Sequence, residues 1–185
     1  MPAKPRDPEV LRVALIADTH GFLDPRIMDA IAHCDRVVHA GDIGDDDILD
    51  ALDRPTGPVI AVAGNNDTTR HWPADRQTRR HDLPQEVILP LPGGDLAIIH
   101  GHRQPARNRH ARLRRRFLDA QAVVCGHSHR AHIDTATTPW ILNPGAAGRS
   151  RACGGPGCLV LTASRDQWQI EEHRFEKLPR TQKRR

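Results

Sequence analysis

Residues 10–21, Val-Leu-Arg-Val-Ala-Leu-Ile-Ala-Asp-Thr-His-Gly, decide how this chain reads. The first eight are β-prone and almost continuously apolar, the pattern of a strand buried on both faces. The run then breaks at Asp18, His20 and Gly21. A buried strand that delivers polar side chains at its C-terminal end is the signature of an α/β sheet with a ligand site along one edge. A helix should follow. Asp24 suits its N-cap and Pro25 its first position, with Ile27, Met28, Ile31 and Ala32 expected as the buried stripe.

The same unit recurs outward from this stretch. A short strand over 36–40 ends in Gly41-Asp42, after which Gly44 and the acidic run Asp45 to Asp47 suit the positive end of another helix. A third strand, 59–63, ends in Gly64-Asn65-Asn66-Asp67. Strand and helix thus alternate in a βαβ pattern. In the second half, 86–90 and 95–99 flank a Pro-Gly-Gly turn and read as a hairpin, whose second strand runs into His100-Gly101-His102. Segment 122–125 is a further short apolar strand and ends in Gly126-His127-Ser128-His129. Strands are also expected over 130–135, 140–142, 157–163 and 168–175, the last alternating in the manner of a sheet edge. Two packed sheets with helices outside are the expected architecture.

At 185 residues and 38% hydrophobic content the chain suits one domain, placed at 9–178 between a loose leader (1–8) and a basic tail (179–185). No run approaches the roughly 20 apolar residues that span a bilayer, and the start lacks the apolar segment of a secretory signal, which points to the cytoplasm. Cys34, Cys125, Cys153 and Cys158 are expected as free thiols. The spacing of Cys153 and Cys158 is wider than a zinc knuckle requires, and no second pair completes four ligands. The net charge of +4 is concentrated in the tail and in 103–116, which holds seven arginines. Leu113 and Phe117 in that segment mark an amphipathic helix with a solvated basic face. A nucleic-acid surface is the alternative, weakened by a content of three Trp, three Phe and no Tyr for stacking.

The chemistry lies at the strand ends. Hydrolysing a phosphate ester near neutral pH calls for a nucleophilic hydroxide and neutralisation of phosphoryl charge, which two metal ions about 3.5–4 Å apart supply. Carboxylate, imidazole and neutral oxygen donors are needed. Asp18 and His20 follow the first strand, Asp42 the second and Asn65 the third, while His100, His127 and His129 complete the set.

In this order the blocks Asp-x-His, Gly-Asp, Gly-Asn-x-Asp, His and Gly-His-x-His resemble the signature of the calcineurin-like metallophosphoesterase superfamily. The match extends over roughly residues 10–175. Size and spacing are most similar to its compact bacterial and archaeal phosphodiesterases, which carry an Asn-Pro-Gly segment like Asn143-Pro144-Gly145. The resemblance implies an α/β (α+β) fold, a four-layer αββα sandwich of two packed mixed sheets flanked by helices. It implies one ion held by Asp18, His20 and His129 and a second by Asn65, His100 and His127, with Asp42 bridging. A bridging hydroxide would attack phosphorus in line. Manganese is the expected ion, with iron, zinc, nickel or cobalt as alternatives. The partner it implies is a small phosphodiester, in a protein open to homo-oligomer formation. A non-catalytic scaffold of the same fold and a nucleic-acid-binding protein are the competing functions.

Three further candidates surround this set. Many superfamily members have histidine where this chain has Asn66, and an amide can donate to a phosphate oxygen but cannot serve as a general acid. Asp67 is a candidate to orient Asn65 or simply to close the turn. His102 is a candidate outer imidazole beside the substrate, or only the next loop residue. Arg70, His71, Arg103 and Arg107 are available for a second phosphate or a nucleotide. Asn143-Pro144-Gly145 reads as a turn that positions a strand.

Overall fold

Alternation along β1 (Leu11–Ile16) explains how the layers stack. Ala14 and Ile16 face a cluster containing Ile27, Ile31, Leu49 and Leu52, whereas Val13 and Leu15 face one containing Leu96, Ile98, Val124 and Leu142. Both faces of the strand are therefore buried, as its apolar run requires, and each such leucine contributes about 1.5–3 kcal/mol by leaving water. The computed structural model describes residues 9–75, 77–149 and 151–177; the expected leader at 1–8 and basic tail at 179–185 lie outside the described residues.

β1 sits mid-sheet, parallel to β2 (Arg36–His39), which is parallel to β3 (Ile60–Ala61). On its other side β1 runs antiparallel to β9 (Gly157–Ala163), which pairs with the edge strand β10 (Trp168–Arg174). The second sheet has the order β4 (Glu86–Leu91), β5 (Gly94–Ile99), β6 (Ala122–Val124), β8 (Trp140–Pro144), β7 (Ala131–Asp134), with β4–β5 as the expected hairpin. Helices α1 (Pro25–Ala30) and α2 (Asp46–Leu52) cover the first sheet. Helix α3 (Arg109–Arg116) covers the second through Leu113, with Phe117 just beyond it, against Ala97, Val123 and Ile141. The result is the four-layer αββα sandwich of two mixed sheets.

Local chemistry sets the helix ends, and here the structure corrects several boundaries. Asp24 caps α1 by accepting from the Arg26 backbone N–H at 3.0 Å, and its carboxylate also pairs with the Arg26 guanidinium at 2.8 Å. The helix stops at Ala30 with Ile31 as its cap, so Ala32 is exposed and not part of the buried stripe. Asp45 caps α2 through the Asp47 N–H at 3.0 Å, and Asp46 and Asp47 stand in the first turn where the helix dipole favours them. The basic segment begins with a short 3₁₀ turn, Ala106–Asn108, before α3. β3 spans two residues because it pairs with β2 only at Val38 and His39. β8 runs through Asn143 and Pro144, so the turn expected there begins at Gly145.

Candidate metal centre

Every ligand candidate stands just past the C-terminal end of a strand, and the ends of both sheets meet at one rim. Asp18 and His20 follow β1, Asp42 follows β2, Asn65 follows β3, His100 follows β5, and His127 and His129 follow β6. Backbone hydrogen bonds join the loops: the N–H groups of Asp18, His20 and Gly21 donate to the carbonyls of Gly41, Asp42 and Ile43 at 3.0, 3.0 and 2.7 Å. The Gly126 N–H donates to the His100 carbonyl at 3.2 Å. Gly64 must lack a side chain, since a Cβ there would lie 2.1 Å from Asp42 Oδ1.

Two groups of donor atoms result. Asp18, His20, Asp42 and His129 offer atoms all within 4.8 Å of one another, and so do Asp42, His100 and His127; Asp42 belongs to both. Asn65 joins the second group, its Oδ1 lying 3.3 Å from His100 Nε2. Within the first, His20 Nε2 lies 3.2 Å from His129 Nε2, which is 3.5 Å from Asp18 Oδ1. In the second, His100 Nε2 lies 3.4 Å from Asp42 Oδ2. Ligand atoms about 2.1 Å from a shared ion stand roughly 3.0–3.4 Å apart, so these separations fit a cation between them.

Charge and proton placement support that fit. His100 Nδ1 donates to the Ala40 carbonyl at 2.7 Å, which directs Nε2 at the oxygens of Asp42 and Asn65. Such an acceptor-rich convergence needs a proton or a metal ion to hold it. Asp18 Oδ2 is buried and makes no hydrogen bond. Burial pushes Asp18 up to about 7, against the lowering pull of His100. Burial also opposes ionisation of Asp42, but hydrogen bonds from His100 and Asn66 hold it below the usual carboxylate range. His127 is pushed down to about 4, by burial first and then by the charges of His100 and Arg109. An imidazole kept neutral in this way presents a lone pair, the form in which it binds metal. The thiol of neighbouring Cys125 is pushed up to about 12 by burial, so it offers no thiolate donor.

The residues around the ligands fall into distinct places. Asn66 clamps Asp42, its backbone N–H reaching Oδ1 at 2.8 Å and its amide Nδ2 reaching Oδ2 at 2.7 Å. Asp67 is a buried hub that accepts from the backbone N–H groups of Asp42, Ile43, Gly44 and Gly64 and from the Trp72 indole, at 2.7–3.1 Å. Among the described residues it makes no hydrogen bond to the Asn65 side chain and acts on the loops instead. His102 lies with its ring 5.4 Å from that of His100 and 6.3 Å from that of His127, its Nδ1 buried without a partner. Burial lowers its pKa, with His100 adding to the effect. A cavity of about 380 Å³ beside Asp42 is lined by His20, Gly44, Asn66, His71 and Arg151; another of about 350 Å³ is bordered by His100, His102, Arg103 and Gln104. Arg70 and Arg107 are exposed and line neither cavity.

Sequence reading took Asn143 only as part of a turn and overlooked His39 as a support of the site. His39 is fully buried beneath it: the Gly41 N–H donates to Nδ1 at 3.2 Å, so Nε2 donates to Thr19 Oγ1 at 3.0 Å, and Thr19 in turn donates to the Ile43 carbonyl at 2.9 Å. A lone imidazole between Val38 and Ala40 was the available signal. Asn143 braces the loop of His127, its Nδ2 donating to the Gly126 carbonyl at 2.9 Å and to Ser128 Oγ at 3.1 Å. Arg151, on the wall of the cavity beside Asp42, was also missed, and nothing in its spacing announces it.

A family model described as the calcineurin-like phosphoesterase superfamily domain matches residues 11–166. A probable metallophosphoesterase of Methanocaldococcus jannaschii is 28% identical over 141 residues, covering 72% of this chain and 67% of that protein. Vacuolar protein sorting 29 of Cryptosporidium parvum superposes with a TM-score of 0.68 at 18% identity, covering 91% of this chain and 99% of that one. An archaeal phosphodiesterase superposes with a TM-score of 0.65 at 17% identity, covering 88% and 100%. The matched region takes in every ligand candidate, and the chain belongs to the calcineurin-like phosphoesterase superfamily.

Proposed function

We propose that this protein is a phosphodiesterase that holds two divalent ions and hydrolyses phosphate diesters. The observation that carries the reading is the sharing of Asp42 between two donor groups, one completed by Asp18, His20 and His129 and the other by Asn65, His100 and His127. Ions held there supply an activated water and neutralise charge on the transferring phosphoryl group. Oxygen and imidazole donors without thiolate suit manganese, iron or zinc, and the resemblance to the superfamily tips the choice to manganese. The chain's own groups do the rest. Asn66 holds Asp42 in place, Asp67 fixes the loops on either side, and His102 turns an unpartnered ring nitrogen toward the second cavity's end of the site. A cavity beside each donor group leaves room for both substituents of a diester. The archaeal phosphodiesterase that shares the fold supports the same choice.

The test is metal analysis of protein purified without chelator, paired with a hydrolysis screen of mono- and diesters with added manganese. Two equivalents of metal and preferential diester turnover are expected. Protein that binds no metal and hydrolyses nothing is a scaffold, and the reading falls.

A further inference from the structure

Among the described residues, six non-glycine positions have positive φ: Asp18, His20, Asp42, His127, His129 and Arg151. Five belong to the ligand set. Left-handed backbone is strained for such residues and persists where surrounding structure enforces it, typically at functional sites. Arg151 adopts φ 51° in a loop that has glycines at 148, 154 and 155, so the strained position is held by a long cationic side chain. The loop is secured on both sides of the site. The Ala147 N–H donates to the Ala17 carbonyl at 2.8 Å, and the Cys153 N–H donates to the His129 carbonyl at 3.3 Å. The structure shows no carboxylate paired with Arg151 among the described residues, and its charge is felt by Asp18 and His20.

Resting on the phosphodiesterase reading, we infer that Arg151 and His71 form an anion subsite beside the first donor group, which takes a second phosphate carried on the diester. The two residues line one open cavity of about 380 Å³ together with His20, Asp42 and Asn66. His71 is held by its Nδ1 against Thr68 Oγ1 at 3.0 Å. A guanidinium offers a planar fork of donors that matches phosphate oxygens, and Arg151 and His71 are both exposed, within reach of an incoming phosphate. The scissile phosphate belongs over the shared Asp42; the cavity beside it has space for the further group. Specificity for a doubly phosphorylated substrate is therefore built by a loop that contributes no ligand.

The experiment compares p-nitrophenyl thymidine-5′-phosphate with the same ester bearing a 3′-phosphate, so that the leaving group and reacting phosphate are identical. Wild type should favour the 3′-phosphorylated ester by about tenfold in kcat/KM, mainly through KM, and the preference should shrink as salt is raised. Arg151→Gly, which suits the left-handed backbone, and Arg151→Gln should both abolish the preference while leaving metal content and turnover of the plain ester near wild type. Arg151→Lys should keep part of it. Equal loss on both esters places Arg151 at the scissile phosphate and overturns the proposal, as does a preference that survives both substitutions. Should neither ester be hydrolysed, calorimetry of thymidine 5′-phosphate and thymidine 3′,5′-bisphosphate binding separates the two ideas. Tighter, Arg151-dependent binding of the bisphosphate upholds the subsite while the hydrolase reading fails; equal binding sinks the subsite.

Discussion

The carboxylate of Asp67 accepts the backbone N–H of Asp42 at 2.8 Å, so the turn after β3 fixes the loop that follows β2. Five donors converge on this one side chain, four of them backbone. Asp67→Asn sets an NH2 against N–H groups and removes the charge. Stability should drop by about 2–4 kcal/mol in denaturant unfolding, and metal affinity by about 10–100-fold. Trp72→Phe, which loses only the indole donor, should cost about 1 kcal/mol and spare metal binding. Wild-type metal affinity in Asp67→Asn would show that the hub does not position the ligands.

Asp42→Asn tests the shared ligand itself. The substitution removes the charge common to both donor groups and places an amide nitrogen near the Asn66 donors, so metal occupancy and turnover should fall together, turnover by about 100-fold or more. The fold should survive, because the β2 loop is held by Asp67 through the backbone. Elemental analysis and circular dichroism on one preparation check both statements. Near wild-type turnover would sink the two-ion assignment.

Asn66 has its amide on Asp42, where it cannot deliver a proton to a departing alkoxide. Wild type should therefore favour diesters with good leaving groups. Asn66→His should flatten the dependence of rate on leaving-group pKa, with gains of up to about 10²-fold for the poorest leaving groups. Rates across a graded series in both proteins provide the measurement. A shallow dependence already present in wild type and steepened by His102→Ala would assign the acid to His102.

His39 predicts a pH effect on stability. Burial pushes it down from 6.5 to about 3, with the charge of His100 adding to the depression. Between those values the unfolded chain binds the proton and the native chain does not, so stability falls as pH drops through 6.5 and continues to fall toward 3. Over about pH 4–6 wild type should lose about 1.4 kcal/mol per pH unit more than His39→Asn, whose slope lacks this proton. Parallel slopes in urea unfolding would mean that His39 titrates normally.

Much of this was legible before any coordinates, for physical reasons. β1 announced itself because burial on both faces demands an unbroken apolar run, and the ligands could be read because each sits where such a run stops. Boundaries that depend on a neighbour were not legible. β3 is as short as its pairing with β2 allows, and Ala32 is exposed because Ile31 caps α1 a residue earlier. The partners of the supporting side chains were hidden for a related reason. Asp67, Asn143 and His39 act on backbone groups or side chains of other loops, and only the packing of two sheets brings those partners within reach. Arg151 follows no periodicity at all.

His20 and His129 meet at 3.2 Å although 109 residues separate them, and β1 pairs on one flank with β9. In the order of translation, β1 waits with that edge bare until residues 157–163 leave the ribosome. All four donors of the first group, at 18, 20, 42 and 129, are made before that wait ends. An emerging chain consequently presents its full set of histidines and aspartates before β9 and β10 close the sheet that carries β1.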